Sequence, residues 1–184
     1  RIVNAGQGTY EGFEFDLVVV PVDGLTIDMT YGYLDAEFDE YLARNPATNQ
    51  LVDISANTTV AQAPENTASL GVQYDFQPFS FGALSARMDV AYKDEFVFHP
   101  FQNLYDAADD RTLVNGRLSL NEIKMGCCEK GALRVSLWGK NLTDETYPTH
   151  IIPFLGNGFS IFAPPRTFGV SVSYVVGCGL LGKL

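Results

Sequence analysis

Seven stretches of this chain alternate apolar and polar side chains with a period of two, most of them over about ten residues, and few folds accept that pattern. Residues 10–20 set Phe13, Phe15, Leu17 and Val19 against Glu14, Asp16 and Val18. After a hairpin turn at Asp23-Gly24, Leu25, Ile27, Met29, Tyr31 and Tyr33 alternate with Thr26, Asp28, Thr30 and Gly32. The pattern returns at Ala68, Leu70, Val72, Tyr74 and Phe76, at Leu84, Ala86, Met88, Val90 and Tyr92, and at Val114, Leu118 and Leu120. It returns twice more, at Leu133, Val135 and Leu137 and at Phe168, Val170, Val172, Tyr174 and Val176. The connections alternate in length: 22–24, 77–82 and 125–131 are short, whereas 37–66, 99–110 and 143–165 are long and polar.

Strands of this length suit a bilayer, which a tilted strand crosses in about 9–11 residues, whereas globular strands average about five or six. Alternating short turns and long loops are the habit of outer-membrane barrels, with short periplasmic turns and long extracellular loops. The expectation is therefore an all-β fold, an antiparallel transmembrane β-barrel of which about seven strands are present. Aromatic residues collect near strand ends, Tyr10, Tyr31, Tyr33, Tyr92, Phe96 and Phe168 at the outer rim and Tyr74, Phe76, Phe79 and Tyr174 at the inner, which predicts two interfacial girdles. A soluble β-sandwich alternates too and is the rival. The hydrophobic share of 46% fits either fold, because lipid-facing and lumen-facing residues average out in a barrel.

No apolar run approaches the roughly 18 residues of a membrane helix. The net charge of −10, from 12 basic against 22 acidic residues, argues against nucleic acid. The three cysteines, Cys127, Cys128 and Cys178, match neither a disulfide framework nor a zinc spacing. Nucleophile, base and orienter do not occur at a recognisable spacing, so an enzyme is not expected and neither is a cofactor. The acidic group Asp35, Glu37, Asp39 and Glu40 lacks the spacing of a calcium loop and reads as solvated loop.

Five short motifs, in order, carry a family resemblance. Asn4-Ala5-Gly6 leading to Gly12-Phe13-Glu14, then Tyr31-Gly32-Tyr33-Leu34-Asp35-Ala36, Ala63-Pro64-Glu65-Asn66-Thr67, Asn141-Leu142-Thr143-Asp144 with Tyr147, and Pro165-Arg166-Thr167-Phe168-Gly169-Val170 through Tyr174 are similar to segments of TonB-dependent outer-membrane receptors. The resemblance implies that residues 1–176 are the C-terminal portion of such a receptor's barrel, that 177–184 form a tail of unassigned role, and that a plug domain and TonB box belong upstream. Seven strands cannot close a barrel, since the smallest have about eight and plugged transporters about 22. Thr167, Gly169, Val172 and Tyr174 resemble the signal read by the barrel-assembly machinery.

The implied activity is outer-membrane uptake of a large scarce solute, a ferric siderophore first, energised through TonB, with membrane lipid and the plug as further partners. A passive porin or translocator barrel and a soluble carbohydrate-binding sandwich are the alternatives. His99 with Phe101 and Tyr105, and His150 with Phe154, fall in outer loops where a receptor would meet a planar chelate, although ordinary loop packing is the more frequent reason for such residues. Arg87, Lys93, Arg117, Arg134 and Lys140 are expected to face the lumen, where plug carboxylates or an anionic chelate would find them.

Overall fold

The computed structural model describes residues 6–100, 107–124, 131–154 and 157–176. Phe101, Tyr105, the three cysteines and the 177–184 tail lie outside those residues, as do Asn4 and Ala5. Twelve strands are present among the described residues: β1 (Gly6–Val22), β2 (Leu25–Arg44), β3 (Leu51–Asp53), β4 (Asn66–Asp75), β5 (Ala83–Lys93), β6 (Phe96–Val97), β7 (Ala107–Ala108), β8 (Arg111–Lys124), β9 (Gly131–Lys140), β10 (Pro148–Phe154), β11 (Asn157–Phe162) and β12 (Thr167–Val176). The seven alternating stretches are β1, β2, β4, β5, β8, β9 and β12, and they pair in that order as one antiparallel sheet with β1 and β12 at its edges. The sheet is open.

Register explains why one face is apolar throughout. Directly paired residues share a face, and Val19, Ile27, Val72, Met88, Gly116, Gly139 and Phe168 form one row across all seven strands. Leu17, Met29, Leu70, Val90 and Val114 form the next. One residue along, the opposite face carries Thr26, Gln73, Arg87, Arg117, Trp138 and Gly169, and beside it Asp75, Ser85, Ser119, Ser136 and Ser171. Tyr10 is a correction to the predicted girdle, because it pairs with Ala36 and alternates onto the polar face with Glu14.

The apolar face is open. Phe168, Val170 and Val172 are 71%, 63% and 66% exposed, and no second sheet covers them among the described residues. The buried hydrophobic side chains there are Val60, Phe98, Ala108 and Ile151, and all four belong to the long connections. A soluble sandwich would bury the alternating face about 10 Å from a facing sheet. An exposed apolar surface shared by seven strands is what a barrel wall shows to lipid.

The two ends of the sheet differ. At one end β1 turns into β2 through Asp23-Gly24, where Gly24 holds φ +84° and an added Cβ would lie 2.4 Å from the Asp75 carbonyl oxygen, so only glycine fits. At the other end the strands run on. The segment expected as loop from residue 37 begins instead as a continuation of β2, which reaches Arg44, pairs with β1 as far as Tyr41 and folds back as β3. Twenty residues at a rise of about 3.3 Å far exceed a hydrocarbon core of about 30 Å. The polar residues Glu37, Asp39 and Glu40 lie in that extension.

The last long connection is clipped at its base. Asn141 sits at φ 52°, donates through Nδ2 to the Glu145 carbonyl at 2.8 Å and accepts from the Glu145 N–H at 2.9 Å. The Thr143 hydroxyl donates to the Thr112 carbonyl, and Asp144 meets Arg166 at 3.0 Å just before β12 starts. Two of the five motifs are thus the two feet of one loop. Asn141→Ala removes both side-chain bonds and places alanine in the left-handed region, so a loss of about 1–3 kcal/mol is expected in denaturant titration of the refolded protein.

Candidate functional site: polar face and loop cap

The polar face is organised by Arg87. Its guanidinium donates from Nη1 and Nη2 to both carboxylate oxygens of Asp28, at 2.8 and 3.0 Å, and from Nε to Asp89 at 2.8 Å. To reach Asp28 on β2 from β5 the side chain crosses β4 over Gly71, where an added Cβ would lie 2.3 Å from both Nη2 and Asp28 Oδ2. Glycine leaves the room that a planar, bidentate pair needs. Arg117 and Arg134 join Arg87 around a cavity of about 200 Å³ with Ser119 and Asn121 in its lining. Ser119 and Ser136 share a hydrogen bond of 2.8 Å beneath it, and Asn121 donates to Ser85 at 3.0 Å.

The five predicted lumen cations therefore divide. Arg87 is neutralised inside the wall by two carboxylates on its own face, whereas neither Arg117 nor Arg134 makes an ion pair among the described residues, and both are exposed. Lys93 and Lys140 stand away from the cavity, with ammonium groups 5.5 Å from the Phe96 ring centre and 5.8 Å from that of Trp138. Sequence reasoning missed the Asp28 and Asp89 partners, although their place on the polar alternation with Arg87 was a usable signal.

At the long-loop end three connections pack into one cap. The N–H groups of Thr59 and Gln62 donate to the carbonyls of Pro100 and Val97, at 3.2 and 2.8 Å. Phe98, Ala108 and Ile151 then close a small core with Phe96 against it. Arg111 threads between Phe96 and Tyr147, its guanidinium carbon 5.5 and 4.5 Å from the two ring centres. The cap brings His99 and His150 together from separate loops, with ring centres 6.4 Å apart and the Phe98 ring 6.3 Å from His150. Phe154 ends β10, where it pairs with Asn157.

Asp94 fixes the cap to the wall. It accepts from the Tyr92 hydroxyl and from both the backbone and side-chain N–H groups of Asn66, at 2.8 and 2.7 Å, while Tyr31 donates to Asn66 at 2.6 Å. The Tyr92 hydrogen bond first, and the Asn66 side chain next, hold the Asp94 carboxyl below its usual value. A lowered folded-state pKa stabilises above the unfolded value of about 3.9 and is lost as pH falls through the folded value. Limited proteolysis of the loops should therefore accelerate below about pH 4, and Asp94→Asn should show the fast cleavage already at neutral pH.

The predicted assembly residues Thr167, Gly169, Val172 and Tyr174 all lie in β12, paired with Lys140, Trp138, Val135 and Leu133. Gly169 is covered by the indole of Trp138, whose Nε1 donates to Ser171 at 3.0 Å. An aromatic ring shielding a cross-strand glycine is a device that pins register.

Comparison with known proteins agrees with this architecture. Residues 1–142 match the family described as TonB dependent receptor-like, beta-barrel. The chain is also similar in fold to the siderophore receptor PiuA from Acinetobacter baumannii, with a TM-score of 0.63 and 17% identity over 91% of this chain. It spans 22% of the length of that receptor chain.

Proposed function

The chain belongs to the TonB-dependent receptor-like β-barrel family, and from that premise we propose that it is a C-terminal part, residues 1–176, of the barrel of an outer-membrane importer energised through TonB. The observation that carries this reading is the continuous apolar face, in register over seven strands, backed by a polar face with a cationic cavity. The apolar face meets lipid, the tight-turn end faces the periplasm and the cap faces the medium. A barrel wall of this kind supports transport, and the family gives no reason to look for catalysis in it.

A plug supplied by the same full-length protein fills the lumen, and Arg117 and Arg134 are the wall cations that meet its carboxylates, because Arg87 is already paired within the wall. Barrel-assembly machinery inserts the wall by reading β12. The solute is a ferric siderophore, a reading supported by the siderophore receptor that shares this fold. The test is uptake of radiolabelled ferric siderophores by cells carrying the full-length protein, with and without a proton-motive-force uncoupler. Energy-dependent accumulation is expected. Uptake that persists unchanged after uncoupling would instead support a passive porin and overturn the importer.

A further inference from the structure

We propose that His99 and His150 form an extracellular two-histidine site for a first-row transition-metal ion. The two residues are 51 positions apart by number and belong to different connections, yet the cap sets their ring centres 6.4 Å apart with planes inclined by 54°. With metal–nitrogen bonds of about 2.0–2.1 Å, two imidazoles sharing one ion hold their ring centres roughly 5–6.5 Å apart. The separation lies at the top of that range, which sets the two nitrogens on nearly opposite sides of the ion, a trans arrangement that square-planar Cu(II) or Ni(II) adopts.

The pair stands on a buried apolar base. Phe98 is 6% exposed and meets His150 edge on, and Ile151, adjacent to His150, is 2% exposed in the same small core. His150 itself is exposed and His99 half-buried, so an ion reaches the pair from the medium. Among the described residues no group of three or more metal-ligating side chains occurs. The two imidazole nitrogens fill two coordination positions, and water or the donor atoms of an incoming chelate can fill others. Trans imidazole pairs suit tetragonal Cu(II) and Ni(II), and the order of affinities places Cu(II) first. Neither member resides on the polar face of the sheet, so the site is separate from the arginine cavity.

Cu(II) titration of the full-length receptor in detergent, followed by electron paramagnetic resonance and calorimetry, tests this. One ion bound with a two-nitrogen hyperfine pattern is expected. His99→Gln and His150→Gln should each weaken it by more than about tenfold. Unchanged stoichiometry, affinity and hyperfine pattern in the double variant would overturn the site. In the wild-type protein, Ni(II) should shield both imidazoles from carbethoxylation, and equal modification of His99 and His150 with and without Ni(II) would overturn it independently of how the variants fold. Siderophore uptake is measured alongside: loss of this site with intact uptake leaves the transport reading standing.

Discussion

Leu70→Arg in the full-length protein is expected to cost about 2–4 kcal/mol of folding free energy in a bilayer, whereas Ser69→Arg, one position away, is expected to cost about 1 kcal/mol or less. Leu70 lies at the centre of β4, in a row with Leu17, Met29, Val90 and Val114. An arginine there must bring a charged group into hydrocarbon, where its snorkelling path to either interface is longest. Ser69 sits on the polar face, sharing a 2.7 Å hydrogen bond with Thr30, and an arginine there stays in a water-lined lumen. The difference is large because side chains on a strand change face with every residue. Urea titration of protein refolded into vesicles reads both variants, and equal costs would mean that the two faces of the sheet meet the same environment.

Gly169→Leu is expected to abolish assembled receptor, and Gly169→Ala to cost about 1–3 kcal/mol. A Cβ at this position would stand 2.2, 2.5 and 2.7 Å from three atoms of the Trp138 ring, and a ring cannot yield as the end of a flexible chain does. Moving it also breaks the Trp138 to Ser171 hydrogen bond. The glycine is thus needed for packing, which is distinct from any role in the assembly signal. A double-mutant cycle separates the two. If sterics govern, Trp138→Ala in the Gly169→Ala background restores much of the loss. If the assembly machinery requires the glycine itself, the double variant stays as defective as Gly169→Ala, and the packing explanation fails.

Much of the wall was legible because alternation is enforced wherever one face meets an apolar medium. Residues such as Leu70, Val90 and Val172 have to take their face, and the seven strands could be read from them directly. Where both faces meet water the constraint vanishes, and so the upper part of β2, with Glu37, Asp39 and Glu40, read as loop although it continues as strand to Arg44. Nearness to a strand end suggests a girdle position for Tyr10, but its even position with Glu14 sets it on the polar face. The candidate sites were less legible. Sequence put Arg87, Arg117 and Arg134 on one face, but only register shows that Arg87 reaches across Gly71 to Asp28, while the other two make no ion pair among the described residues. The meeting of His99 with His150 depends on how three loops pack around Phe98 and Ile151, and no local periodicity encodes that.

In a barrel wall β12 turns one face toward lipid and the other toward the lumen. Single spin labels placed from residue 167 to 175 in the full-length receptor, reconstituted in a bilayer, measure this through their relaxation by oxygen, which partitions into lipid, and by a water-soluble nickel complex. Oxygen-dominated relaxation is expected at Phe168, Val170, Val172 and Tyr174 and nickel-dominated relaxation at Thr167, Ser171 and Ser173. Relaxation by the nickel complex at every position, with no period of two, would contradict it.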